Sequence, residues 1–285
     1  MTDRSLFEKF LSVVSQMSVL SSHQTNLDRL LQGILPHCAI TEKQSLAARH
    51  WSLQMPLTHG CNVGTLKVIL QSEALLSQAV VGKRIGAAEA LMGTTDDVFF
   101  YLGTFAYPTT ECGFLFVHSL EHDHSGKGVA TPFDSGAFAS RVPAPAPYLD
   151  GVDFVRNHEL PVPEYRQLLA ALISHYAATP QAYLQNVEAF ACHCLEQRLH
   201  PFGISGGDRR TSTFEVRIPQ RVPLQPPHLL AVFVKNGHEK QIAELSSLHA
   251  LGVRIERYSA DPDQVDSFYA IRESCINFIE EYINS

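Results

Sequence analysis

One carboxylate stands out from its setting. Glu215 lies in the stretch Thr211-Ser212-Thr213-Phe214-Glu215-Val216-Arg217-Ile218-Pro219-Gln220-Arg221-Val222-Pro223-Leu224, and Arg198, Arg209, Arg210, Arg217 and Arg221 gather near it in sequence. A carboxylate can take a proton or stabilise positive charge, and a local group of arginines attracts phosphates. A second set, His118, Glu121, His122, Asp123 and His124, has ligand types suited to zinc or iron, but its spacing matches no strong metal motif and reads rather as a solvated loop. Ser125-Gly126-Lys127-Gly128 lacks the Gly-x-x-x-x-Gly-Lys-Ser/Thr pattern of a phosphate loop, which excludes that class of ATPase. Cys192 and Cys194 fall two apart inside a helical pattern and point in different directions, so they make a poor metal or redox pair.

The elements that must position these groups follow from periodicity. Phe214, Val216 and Ile218 alternate with Thr213, Glu215 and Arg217, so a strand here buries the first three and turns the others toward solvent or a cleft. A plain edge strand with a wet polar face is the alternative reading of the same residues. Pro219 and Pro223 donate no ladder bonds, so the strand stops near Ile218 and the chain resumes as the apolar run Leu229 to Val234. Earlier in the chain, Leu57-Thr58-His59-Gly60 reads as a strand and turn, followed by a helix with Leu66, Ile69 and Leu70 inward. Asp97 to Leu102 and Phe114 to Val117 read as buried strands, and Phe99, Phe100 and Tyr101 cannot all face one cleft.

Around these lie helical patterns. Leu6 to Leu35 carries two amphipathic helices, Glu42 to His50 a third, and Pro163 to about Leu199 is helical, with Tyr165, Leu168, Leu169, Leu172 and Ile173 on one stripe. Thr131 to Phe138 is a polar-aromatic cluster in which Asp134 either contacts a ligand or starts a helix. The run Pro143 to Pro147 is a stiff connector. After Val234, a helix from Glu239 to Leu251, a strand from Gly252 to Tyr258 and a helix from Pro262 to Ile283 form an α/β closure. The expected organisation is a helical N-terminal segment over 1–50 and a domain over 51–285 with a helical insertion at about 160–200.

Composition narrows the class. With 45% hydrophobic and 18% charged residues the chain is globular, and none of its apolar runs approaches the ~20 residues of a membrane span. The start, Met1-Thr2-Asp3-Arg4-Ser5, opens with an acid and lacks a basic-then-apolar leader, so a cytoplasmic setting is expected. Six scattered cysteines read as reduced thiols, and a net charge of -7 argues against coating nucleic acid by bulk charge.

The Ser/Thr-rich approach, the single Glu215, the alternating strand, the Val-Pro turn and the Leu-Leu-x-Val-x-Val strand together resemble the last catalytic segment of ADP-ribosyltransferases, and the DarT-like group of toxins in particular, which put ADP-ribose from NAD onto nucleic acid. His59-Gly60 before an Ile-Leu-x-x-x-Leu-Leu helix is similar to the opening NAD-binding element of the His-Tyr-Glu type of that family. The resemblance implies an α+β fold, an ADP-ribosyltransferase-like split β-sheet core with the helical N-terminal segment and insertion. Glu215 would then be catalytic, His59 would bond the nicotinamide ribose, Gly60 would let backbone groups reach the carboxamide, and Tyr101 would cover the ring. Ser212 would join the NAD contacts, while Thr213, Arg209, Arg210 and Arg217 would meet the acceptor. Thr213, two before the Glu, leans away from protein arginine as acceptor and toward a nucleic-acid base, DNA or RNA. No resident metal is implied, NAD is a co-substrate, and a toxin role in a toxin-antitoxin or anti-phage system would require an antitoxin or inhibitor protein. The competing readings are a non-catalytic interaction module on a degenerate fold, a transferase with a protein acceptor, and, more distantly, a metal-dependent hydrolase built on the histidine loop.

Overall fold

The computed structural model describes residues 42–81, 86–120, 128–131, 133–140, 149–173, 179–185, 214–238, 242–260 and 267–285. The expected helices before residue 41, most of the histidine loop, Arg198, the Cys192 to Cys194 run and the Arg209 to Thr213 turn lie outside them. The described chain is α+β and forms two compact units, each made of three chain segments.

In the unit that draws on residues 55–85, 95–125 and 217–285, the first strand and helix form for local reasons. β1 (Leu57–Cys61) ends at Asn62, whose extended backbone and side chain, accepting from Thr65 N at 2.8 Å, cap α1 (Val63–Ser72). Leu66, Ile69 and Leu70 of that helix are buried, as their spacing predicts. Ala74–Leu75 forms β2, and a short helix α2 (Gln78–Val81) follows. β3 (Asp97–Leu102) alternates, with Val98, Phe100 and Leu102 buried and Asp97, Phe99 and Tyr101 half-buried on the other face. β4 (Cys112–Phe116) is buried at all five residues, which fits a central strand.

The strands of this unit lie in the order β10-β9-β4-β1-β3, where β9 is Leu229–Lys235 and β10 is Arg254–Tyr258. β1 runs antiparallel to both neighbours, with Thr58 opposite Tyr101 on one side and His59 opposite Phe114 on the other. The two strands flanking the proline-rich connection, β7 (Glu215–Pro219) and β9, are not neighbours. Between them, β8 (Val222–Pro223) pairs with β2. β9 and β10 are parallel, joined through a helix (Glu244–Ala250), which is the crossover that parallel strands require. Phe100, Phe114, Phe116 and Phe233 fill the interior, and the Phe100 and Phe116 rings meet edge to face at 5.5 Å. The final helix, Ser267–Asn284, packs Phe278 on Phe233 and carries Cys275 inside.

The other unit draws on the described residues of 42–54, 86–94 and 128–216. Its first helix runs from Glu42 to Gln54, across the boundary expected at residue 50, and packs on the helix Val162–Leu172. Trp51 and Ala48 are buried, and the guanidinium of Arg166, itself buried, donates to the Ser52 carbonyl at 2.9 Å. The single helical pattern expected from Pro163 to about Leu199 is interrupted, because a new helix, Pro180–Gln185, starts with Pro180 in its first turn and Thr179 accepting from Ala182 N at 3.1 Å. Tyr165, Leu169 and Ile173 of the anticipated stripe are buried. β5 (Val129–Thr131) pairs antiparallel with β6 (Leu160–Pro161), and the start of β7 borders β5.

Candidate active-site residues

Glu215 begins β7. The residue before it, Phe214, is clamped by two aromatic rings, Tyr165 at 5.8 Å and Tyr183 at 5.9 Å. Phe214, Val216 and Ile218 are buried as alternation requires. Of the two settings expected for the polar face, open solvent is excluded: Glu215 is 2% exposed and Arg217 3% exposed, so the strand is no wet edge. Arg217 Nη1 lies 3.8 Å from Asp97 Oδ2 of β3, which places this buried guanidinium beside a carboxylate.

A buried carboxylate is costly unless hydrogen-bonded. Ser135 meets that need, its Oγ donating to Glu215 Oε1 at 2.5 Å with the serine itself 1% exposed. The local chain explains why Ser135 is in place. Thr131 Oγ1 donates to the Phe133 carbonyl at 2.7 Å, which ties the end of β5 to Phe133. Phe133 then anchors in a cluster with Met92, Phe154 and Val155, its ring stacked on Phe154 at 5.3 Å. The helix Gly151–Arg156 that carries Phe154 is tied down by Asp150, which accepts from Asp153 N at 2.8 Å, and by Arg156, whose guanidinium donates to the Met92 carbonyl at 3.0 Å. Ser135 opens the next helix, Ser135–Ser140, so the cluster around Asp134 starts a helix, one of its two expected roles. Its pairing with Glu215 joins positions 80 residues apart and left no mark in the local pattern.

His59 and Gly60 belong to the other unit. His59 is half-buried, and its Nδ1 bonds the Phe99 carbonyl at 2.8 Å. A carbonyl only accepts, so Nδ1 carries the proton. Burial lowers the imidazole pKa, against a smaller raising effect of that carbonyl. The ring is therefore neutral near pH 7, with Nε2 as an acceptor that suits a hydroxyl. Gly60 has a packing reason to lack a side chain, because a Cβ there would fall 2.6 Å from Thr110 Oγ1.

Tyr101 is not brought to His59. Residues directly opposite on paired strands share a face, so the Thr58 to Tyr101 register puts His59 on the face of Phe100, and the two rings meet edge to face at 5.9 Å. Tyr101 projects from the opposite face and packs edge to face on Tyr107 at 5.3 Å. A cavity of about 100 Å³ adjoins His59, lined also by Thr65, Ile69, Ser72 and Leu76. Sites for drug-sized ligands span roughly 300 to 1,000 Å³, so this cavity is smaller than such a site. Of two larger cavities, one of about 470 Å³ around His249 and Arg254 contains none of the anticipated site residues, and one of about 420 Å³ around Glu73 contains only Arg221 of the arginine group.

Ser212, Thr213, Arg209 and Arg210 fall outside the described residues. Among the described residues no cluster of three metal-ligating side chains occurs, and no helix is long and apolar enough to cross a membrane.

No family model matches the chain, and no curated protein does. Among solved structures, the chain is similar to DarT of Thermus sp. 2.9 in complex with NAD+, at 13% identity and a TM-score of 0.41 over 71% of this chain and 94% of that one. It is also similar to the same protein with ADP-ribosylated single-stranded DNA, at 13% identity and a TM-score of 0.40 over 71% and 93%, and with carba-NAD+, at 14% identity and a TM-score of 0.37 over 73% and 96%. A likeness of that size assigns no role to any residue.

Proposed function

We propose that this chain is an NAD-dependent ADP-ribosyltransferase that places ADP-ribose on a nucleic-acid base, with Glu215 as its catalytic carboxylate. The observation that carries the reading is that the one glutamate singled out by the strand motif is buried, on a strand, with its Oε1 fixed by Ser135. A carboxylate held in one orientation and shielded from water is suited to stabilise charge, because a preorganised group needs no rearrangement as the charge develops.

The chemistry asks little else of the protein. Nicotinamide leaves NAD as a neutral base and its departure gives an oxocarbenium-like ribose, as in glycoside cleavage. Glu215 stabilises that cation and takes the proton that the attacking acceptor releases. His59, neutral and with Nε2 accepting, bonds a hydroxyl of the nicotinamide ribose, and Gly60 leaves backbone groups accessible to the carboxamide. Tyr101, on the other face of its sheet from His59, is left out of this ribose contact. Ser212 is assigned to NAD, and Thr213, Arg209 and Arg210 to the acceptor, where arginines supply phosphate contacts that hold a polynucleotide without reading its sequence. Arg217, buried beside Asp97, is better suited to fix β7 than to meet a phosphate. ADP-ribose on DNA or RNA blocks templating or translation, so the biological use proposed is a toxin, held in check by an antitoxin or inhibitor protein.

The test is incubation of the purified protein with labelled NAD and, in parallel, DNA, RNA and cell protein. Label in a nucleic-acid fraction is the expected result. Label confined to protein would overturn the acceptor while leaving the transferase standing, and label in no fraction with NAD unconsumed would overturn both.

A further inference from the structure

The β1 to β4 ladder ends on two cysteines. Leu57 to Cys61 runs antiparallel to Cys112 to Phe116 over five consecutive pairs, and the last pair is Cys61 opposite Cys112. Directly opposite residues share a face of the sheet with Cβ atoms about 4.5–5.5 Å apart, and a disulfide needs Cβ atoms about 3.5–4.5 Å apart. A small adjustment at the strand end therefore suffices to join them. Both are free thiols, 51 positions apart in sequence, which is why spacing gave no hint of the pair. Cys61 is half-buried, whereas Cys112 is buried. Cys275, the other free cysteine among the described residues, is also buried, and it contacts Thr104 and the Phe105 backbone.

We propose that Cys61 and Cys112 are a thiol–disulfide modification site, which a low-molecular-weight disulfide converts into a cross-strand bond between β1 and β4. In the first step the Cys61 thiolate attacks one sulfur of the external disulfide, forming a mixed disulfide and releasing one small thiolate. In the second, the Cys112 thiolate attacks Sγ of Cys61 and expels the other. Two protein thiols are oxidised, one external disulfide is reduced to two thiols, and the two cysteine protons end on them. Cys61 is the entry point because it is the less buried of the two, and Cys112 the resolving thiol because it is already opposite.

The setting also fixes the kinetics. Burial pushes both thiols up, Cys112 to about 12, with Cys112 and Glu111 adding to the effect at Cys61 and Glu111 adding to it at Cys112. The attacking thiolate is thus scarce at neutral pH, so the rate of the first step should rise about tenfold per pH unit well below the thiol pKa. The bond closes the segment that holds α1 and β3, and it lies beside Gly60, so it staples the ladder that carries His59.

The experiment uses the full chain, folded, with oxidised glutathione as the probe at pH 7, 8 and 9. After acid quenching, free thiols are alkylated and the non-reduced digest is mapped by mass spectrometry. The expected result is a linked Cys61 to Cys112 peptide whose rate of appearance rises with pH and which reduced glutathione reverses. In the C112S variant Cys61 should stop as a glutathione adduct. The proposal is overturned if wild-type Cys61 accumulates as that adduct without linkage, if Cys61 links to another cysteine, or if both thiols remain alkylatable at pH 9.

Discussion

At the scale of single residues, the pair Ser135 and Glu215 makes the sharpest claim. Ser135 is a positioning residue, since it acts through the carboxylate. Hydrogen bonds to charged groups contribute about 1.5–3 kcal/mol. Ser135→Ala should therefore lower kcat by roughly ten- to a hundredfold with KM for NAD little changed, and Ser135→Thr, which keeps the hydroxyl, should recover part of the loss. Steady-state kinetics of the three forms, with circular dichroism to confirm folding, decides this. A rise in KM with kcat intact would place Ser135 in substrate binding instead. His59 makes a claim about pH. Its folded pKa lies below the ordinary value of 6.5, so the unfolded chain binds the proton first as pH falls. The stability this group contributes is complete above about pH 6.5 and is lost as pH drops from there toward the lowered folded value. His59→Gln should flatten that part of the curve. The check is the difference in denaturation midpoint between wild type and variant from pH 5 to 8, because the chain holds 14 histidines and only the difference isolates one.

At the scale of elements, β4 admits no side chain at Gly113. A Cβ there would sit 2.2 Å from Phe105 Cε1 and 3.0 Å from the His59 carbonyl oxygen. Overpacking of this kind costs about 1–3 kcal/mol, so Gly113→Ala should lower stability by that amount in urea denaturation, and an unchanged midpoint would show that the Phe105 ring moves freely. The strands were the most legible elements in the sequence. Alternation marked Phe214, Val216 and Ile218 as one buried face along β7, and spacing marked Leu66, Ile69 and Leu70 as the buried stripe of α1. Two things were not legible. The partner of each strand depends on residues far away in the chain, so neither the Cys61 to Cys112 pairing nor the opposite facing of His59 and Tyr101 could be read locally. The polar face of β7 was expected to meet solvent or a cleft, and a wet edge was the alternative, yet Glu215 lies in the interior on Ser135 and Arg217 lies beside Asp97. Periodicity reports which residues share a face, and only packing decides whether that face is open.

For the whole molecule, the chain passes back and forth between two units, so no single cut separates them. Trp51, 5% exposed and the chain's sole tryptophan, reports on the unit that holds Glu215. Trp51→Ala should cost about 3–5 kcal/mol, as removal of a buried indole does, and calorimetry of the variant measures it. Wild-type Trp51 fluorescence during denaturation should follow the same transition that removes activity if that unit carries the carboxylate. A fluorescence change that leaves activity intact would separate Trp51 from the catalytic part of the fold.

The central claim is that Glu215 drives cleavage of NAD. Gln is nearly isosteric and keeps a group that Ser135 can reach, but it cannot stabilise a cation or accept a proton as a carboxylate does. The direct measurement is NAD consumption, with single-stranded DNA or RNA present, by wild type and Glu215→Gln at matched folding. Loss of at least about a hundredfold in rate is the prediction, the size of effect seen when a preorganised electrostatic or acid–base group is removed. Wild-type NAD turnover equal to that of the variant would contradict it.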